Sequence, residues 1–433
     1  MKETFLLRTK TAQALHYEYV KDLPIIDFHN HICVADLKAD KKFDNIVSLW
    51  LAPDPYKHRL MRICGVDEFF ITGDANPWDK FQKFCEVFPY LAGNPVYDWC
   101  RMELASVFGI HERINSQNAR KIYDQTNEML ASPEYSVNGI LSHFNIEYQS
   151  PVATLLENID DFNGTTVAPS LRADELLAPT SEFKSKLSQS SGIAIKDDDS
   201  YMKAVCVMLD RFARKGCRFA DHSLDAGFFR EDQGGKKTQM LVRLGNEYAK
   251  RGWTLLLHMN AKRKTSPRLL DLAGPAGGFA AAGEGFEISA IADLLGAMEE
   301  RGGLPDTVLF PLNMSDQAPF AVMQGSFSQD GVASKVQLGP AWWWCDHSLG
   351  IQNTLNVISS FGAVSQFIGM TTDSRSILSF VRHDYFRRLL CSWLDEENVV
   401  NEWDMPFEIQ ARMVNKICYQ NAKDKLLKGS SYE

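Results

Sequence analysis

The chain has no surplus of positive charge: 46 Lys and Arg stand against 55 Asp and Glu, a net charge of −9. With no basic patch to track a phosphate backbone, a nucleic-acid partner is not expected. No apolar run approaches the roughly 18 residues that a membrane span needs. The opening "MKETFLLRTKTAQ" has no apolar core of a secretory signal, so a cytoplasmic protein with no membrane partner is expected. The nine Cys are odd in number and scattered, without C-x-x-C spacing. That excludes a zinc ribbon and offers no disulfide framework; reduced thiols are expected, with Cys33 alone near the candidate site. Internal repeats of 20–50 residues and low-complexity segments are also missing.

What is present is an ordinary globular composition, 45% apolar and 23% charged, over 433 residues. Short β-type runs recur at 24–31, 144–150, 165–172, 217–223, 254–260, 307–313, 335–340 and 367–375. Between them, segments such as Ala204–Lys215, Thr238–Arg251, Ile288–Arg301 and Gly350–Phe361 carry apolar spacings suited to amphipathic helices. Eight alternations of strand and helix predict an α/β fold of the (β/α)₈ barrel type, one catalytic domain over residues 1–433. The rhythm breaks once, at 32–143, which reads as a mostly helical insertion after the first strand. Residues 376–428 read as two or three terminal helices, and the closing "KGSSYE" as a frayed tail.

The first run, "PIIDFHNH", ends in His29 and His31, spaced i, i+2. On a strand both imidazoles leave the same face, half of a site for zinc or a similar divalent ion. The other runs also end in residues that apolar patterning does not require: Arg172, Asp221 and His222, His258, Asn313, Trp342 and Trp343, then Asp373 and Arg375. In a barrel these ends meet at one mouth. Several His and a carboxylate then make an open metal site, and Arg172 with Arg375 clamps an anion. Each residue taken singly has a plainer reading. Asp221 can cap a helix, His258 can be a satisfied core histidine, Asp373 can serve a turn, and the tryptophans can be core. The plainer reading must hold separately at almost every strand end, which favours an active site.

Longer strings carry a resemblance. "DFHNHI" at 27–32, "WLAPDPYKHRLMR" at 50–62, "ITGDANPWDKF" at 71–81, "GNPVYDWCRMELASVFGI" at 93–110, "ADHS" at 220–223, "VQLGPAWWW" at 336–344, "GMTTDSRSILSFVRHDYFRRLLC" at 369–391 and "ICYQNAK" at 417–423 run nearly end to end. On these the chain resembles the uronate isomerases, a family of the metal-dependent amidohydrolase barrels. The resemblance implies aldose–ketose isomerisation of hexuronates such as D-glucuronate and D-galacturonate. It implies one divalent metal, zinc by expectation, on His29, His31 and Asp373. Tyr56, Arg172, Asp221, His258, Trp342 or Trp343, and Arg375 match the family's other active-site positions, and Arg263 keeps its register in the loop after the fifth strand. "YQSPVAT" at 148–154 and "HMNAKRKTSPR" at 258–268 depart from the family's usual text, as does the glycine-rich 274–285.

Isomerisation requires a base for the C2 proton and an acid at the carbonyl oxygen. Tyr56 is the expected proton shuttle if a neighbouring cation stabilises its phenolate; His258 is the alternative. Asp373 or Asp221 is expected to assist ring opening. A hydrolase or lyase on the same scaffold, and a non-catalytic sugar-acid binder, are the competing readings. The aromatic-rich insertion and the tryptophan triplet suggest a homo-oligomer.

Overall fold

Residues buried on both faces make strands that read as continuous apolar runs, and that is how the central sheet is built. Every residue of β1 (Ile25–Asn30), β5 (Thr254–Met259) and β8 (Asp306–Pro311) is buried. With β2 (Ile146–Thr154), β3 (Ser170–Arg172), β4 (Phe219–Leu224) and β9 (Val336–Leu338) they form a seven-stranded sheet in the order β1-β2-β3-β4-β5-β8-β9. All of its pairings are parallel. The two-residue strands β6 (Ala261–Lys262) and β7 (Ala281–Ala282) pair separately, antiparallel, within the segment that follows β5. The computed structural model describes residues 2–428, so the tail read as frayed lies outside the described residues apart from Lys428.

Helices cross between the strands where the apolar spacing predicts them. Asp198–Arg214 starts at a capping box made by Asp197 and Ser200 and buries Val205, Leu209 and Phe212. Lys236–Lys250, Ile288–Arg301 and Ser348–Phe361 occupy the other predicted stretches. Between β1 and β2 the chain forms six α-helices, among them Pro55–Ile63 and Pro95–Phe108. After residue 376 come Val381–Val400, Phe407–Asn415 and Asn421–Lys428.

The run predicted as the eighth strand, 367–375, forms no strand, and the ladder contains seven. Side chains take the place of ladder carbonyls along it. The Ile368 N–H donates to Gln337 Oε1 at 2.9 Å, and the His29 N–H donates to Thr371 Oγ1 at 2.9 Å. Backbone bonds resume only at its end: Asp373 N–H to the His29 carbonyl (3.1 Å) and His31 N–H to the Ser374 carbonyl (2.9 Å). Asp373 itself has a φ of +46°, off the extended conformation a strand requires. The third run is also shorter than predicted, with only Ser170–Arg172 in the ladder.

Candidate functional site

A cavity of about 700 Å³ opens at the C-terminal ends of the strands. It is lined by His29, His31, Tyr56, Arg172, His258, Arg263, Trp342, Trp343, Asp373 and Arg375. Asp221 lies just beneath, fully buried, and touches two of them. Asn313 and His222, also at strand ends, do not reach it: Asn313 caps Met314–Asp316, and His222 faces outward to the Tyr248 hydroxyl at 3.0 Å. Cys33 is exposed and lines no part of it.

Neighbouring strands aim the residues. Asp221 on β4 and His258 on β5 are brought together by the parallel pairing of those strands, and His258 Nδ1 meets Asp221 Oδ1 at 2.5 Å. Arg172 Nη1 lies 2.8 Å from Asp221 Oδ2, close enough for an ion pair though without hydrogen-bond alignment. The other side of that guanidinium donates to Asp174 at 2.9 Å. Burial opposes charge on Asp221, but Arg172, His258 and His29 outweigh it and hold the carboxyl well below its usual range. Burial pulls His258 down, against the opposing pull of Asp221, so the ring is neutral near pH 7. With Nδ1 committed to Asp221, Nε2 is left as a buried atom with no hydrogen-bond partner. A neutral imidazole that donates at Nδ1 has its lone pair at Nε2.

His29 lies on β1 and His31 follows its last residue, and their Nε2 atoms lie 3.4 Å and 3.1 Å from Asp373 Oδ1. Burial lowers His31, whereas Asp221 and Asp373 together overcome burial at His29 and raise it. Burial opposes charge on Asp373, yet His29 and His31 hold its carboxyl well down. The three residues present one ligand atom each within 4.8 Å of one another; so do His29, Asp221 and His258. In the second group both Asp221 oxygens already face a partner, Arg172 on one and His258 Nδ1 on the other. The first group is two imidazoles and a carboxylate with one side open, a donor set that suits zinc in a catalytic site. His29, His31 and Asp373 therefore fit a divalent ion.

Tyr56 comes from the insertion. Asp54 caps helix Pro55–Ile63 by accepting from the Tyr56 and Lys57 N–H groups, and Pro55 sets the first turn. The Tyr56 ring packs edge-on to Trp99 and Trp344, with Arg382 over its face at 4.9 Å. Burial drives the phenol strongly upward, and Arg382 offsets this only in part. The cation anticipated beside Tyr56 is present, but the depressed phenol is not: desolvation wins. Arg382, itself fully buried and stacked on Trp99 at 3.9 Å, is absent from the sequence reading, since it sits 326 positions from Tyr56 and looks like an ordinary helical arginine.

The remaining cations differ in freedom. Arg263 is tied to Asp225 (3.0 Å) and Ser223 (2.5 Å) and lies over Trp343. Arg375 is exposed and, among the described residues, has no ion-pair partner. Trp342 packs edge-on to His258 at 4.8 Å. The glycine-rich segment forms the roof: Arg62 donates to the Gly277 carbonyl, and Arg59 to the Ala280 carbonyl at 3.2 Å. Gly278 adopts φ +80°, and a Cβ there would meet the Pro55 carbonyl at 2.3 Å.

Comparison with known proteins identifies the family. The glucuronate isomerase family model matches residues 1–238 and 230–426. The uronate isomerase of Mannheimia succiniciproducens is 35% identical over 460 residues, covering 98% of each chain. That of Caldicellulosiruptor bescii is 36% identical over 459 residues, again covering 98% of each. The crystal structure of the Thermotoga maritima uronate isomerase superposes with a TM-score of 0.89 at 25% identity, covering 98% of this chain and 99% of that one. The chain belongs to the glucuronate isomerase family.

Proposed function

We propose that the protein interconverts hexuronates as an aldose–ketose isomerase, D-glucuronate with D-fructuronate and D-galacturonate with D-tagaturonate. The observation that carries this is the Asp221–His258 pair, whose unpartnered Nε2 belongs to a cavity also lined by cations and a metal-type donor set. The substrate's carboxylate end pairs with Arg375, with Arg172 and Arg263 completing the cationic wall. Trp342 and Trp343 supply flat apolar surface for the sugar's carbon chain. Asp373, or Asp221, assists opening of the ring. His258 takes the C2 proton at Nε2 and returns it to C1 of the enediol, while Asp221 holds the ring orientation and stabilises the imidazolium. Tyr56, kept neutral by burial, serves the same transfer as a hydrogen-bond donor to the carbonyl oxygen rather than as a phenolate base. Helix Pro55–Ile63 and the roof it carries keep bulk water from the enediol.

One divalent ion on His29, His31 and Asp373, zinc by the chemistry of its donors, supplies electrophilic stabilisation of a substrate oxygen when bound. In the same reading, residues 1–433 are one catalytic unit in which 32–143 is an insertion and 367–375 takes the place of an eighth strand, closing the sheet as a barrel. The two backbone bonds from that segment, one to His29 on β1 and one to His31 just after it, support this closure. All nine cysteines are free, which fits a reducing cytoplasm. No helix of the described residues is long and apolar enough to cross a membrane. Exposed Val399, Val400 (77%) and Trp403 support a homo-oligomer.

Incubation of the zinc-loaded protein with D-glucuronate and with D-galacturonate, followed by ¹³C NMR, tests the reading. The expected result is the 2-ketose carbonyl in at least one mixture. Unchanged aldose in both would overturn it.

A further inference from the structure

Asp27 precedes His29 by two residues on β1, so its side chain leaves the same face one layer deeper. It is fully buried and lines no part of the cavity. A carboxylate in that position is tolerated only when hydrogen bonds replace its water. They do, and Thr371 and Thr372 supply the largest share. Thr372 donates twice, its N–H to Oδ1 at 2.6 Å and its hydroxyl to Oδ2 at 2.8 Å. His383 Nε2 reaches Oδ1 at 3.2 Å, and Asn30 Nδ2 donates to Oδ2 at 2.7 Å. The Thr371 hydroxyl accepts from the His29 N–H and has one proton to give, either to Asp27 Oδ1 (3.0 Å) or to the His29 carbonyl (2.7 Å).

This set of bonds sits where the ladder of an eighth strand is missing. Residues 371–372 are fastened to β1 through a carboxylate and two hydroxyls, and backbone pairing resumes at Asp373. Asp373 then adopts a left-handed φ of +46°, which an L-residue holds only when its surroundings impose it. That turn places its carboxylate beside His29 and His31.

We infer that Asp27, with Thr371, Thr372 and His383, is a positioning bracket for the metal-ligand set, and that it tunes the affinity of the site for a divalent cation. Asp27 touches neither substrate nor ion; it acts through the backbone that aims Asp373. The inference rests on the reading of His29, His31 and Asp373 as ligands.

The test uses the full chain, stripped with chelator and titrated with Zn²⁺ against a chromogenic competitor, and with Co²⁺ followed by its visible spectrum. Thr372→Val keeps the shape of the side chain and removes one donor to Asp27; Thr372→Ser keeps the donor. The Val variant is expected to bind Zn²⁺ roughly 10- to 100-fold more weakly, as loss of a supporting partner does, with an altered Co²⁺ spectrum. The Ser variant is expected to restore both. Asp27→Asn, which turns an amide toward groups that donate, is expected to weaken binding further; if it does not fold, the Thr372 pair still decides. A Val variant that melts earlier yet binds Zn²⁺ within about twofold of the unchanged protein, with the same Co²⁺ spectrum, overturns the inference and leaves the bracket as fold closure only. An unchanged protein that binds neither ion overturns the ligand reading itself, and the inference with it.

Discussion

His29 is shared by two groups of side chains that are built in opposite ways. On one side Asp221, His258 and Arg172 are mutually engaged: the carboxylate has a partner on each oxygen, and one imidazole nitrogen is left over. On the other, His29 and His31 face Asp373 Oδ1 at 3.4 Å and 3.1 Å with a side open to the cavity. The first arrangement rests on regular β4–β5 pairing, the second on a segment with an interrupted ladder and a left-handed aspartate. A closed pair with one free lone pair is suited to moving a proton. An open set of convergent donors is suited to holding a cation. The difference assigns separate tasks to groups whose rings nearly touch, His29 and His258 being 4.7 Å apart.

The comparison breaks cleanly if the tasks are separate. His258→Gln is expected to slow C2-to-C1 proton transfer by roughly 10²- to 10⁴-fold, the usual worth of a positioned base, while Zn²⁺ content by metal analysis stays unchanged. His31→Gln is expected to do the reverse in the binding assay. Its Zn²⁺ affinity should fall by more than the roughly 10- to 100-fold typical of outer partners, as competition titration will read. Equal loss of metal in both variants would merge the two groups into one site.

A third histidine sharpens the contrast because it lies outside the cavity. His222 neighbours Asp221 but faces Tyr248, and burial lowers its pKa from 6.5 to about 4. Between those values the unfolded chain takes up a proton that the folded one refuses, so stability falls as pH falls. His222 should contribute a loss on the order of 3 kcal/mol to denaturant unfolding between neutral pH and pH 4, beside the contribution of the similarly lowered His58, and His222→Leu should make the slope shallower by that share. The smallest expected effect is at the roof. Gly278→Ala forces a Cβ against the Pro55 carbonyl from a positive φ. It should raise KM severalfold, roughly 1 kcal/mol, with metal content untouched. Steady-state kinetics would show it.

Much of this was legible before the fold. The i, i+2 pair His29–His31 carries its geometry in its spacing, and Arg172 and His258 lie at or next to the ends of runs whose strand character is plain. The eighth run was not legible as it folds. "FIGMTTDSR" looks extended, but Thr371 and Thr372 spend their hydroxyls on β1 and Asp27, and the backbone turns at Asp373. Asp27 carried a signal that could have been read, since it shares a strand face with His29. Arg382 carried none, because its environment of Tyr56, Trp99 and Asp346 is assembled from three distant segments. Side chains that act through regular strands can be placed from the sequence; those that act through tertiary hydrogen bonds and ring stacking cannot.

The most direct test of the central claim follows D-glucuronate deuterated at C2, in H₂O with zinc-loaded protein, by ²H NMR. Transfer of that deuteron through His258 beneath the roof predicts label carried from C2 to C1 of the ketose, a transfer lost in His258→Gln. Ketose formed at an undiminished rate by that variant would contradict the account.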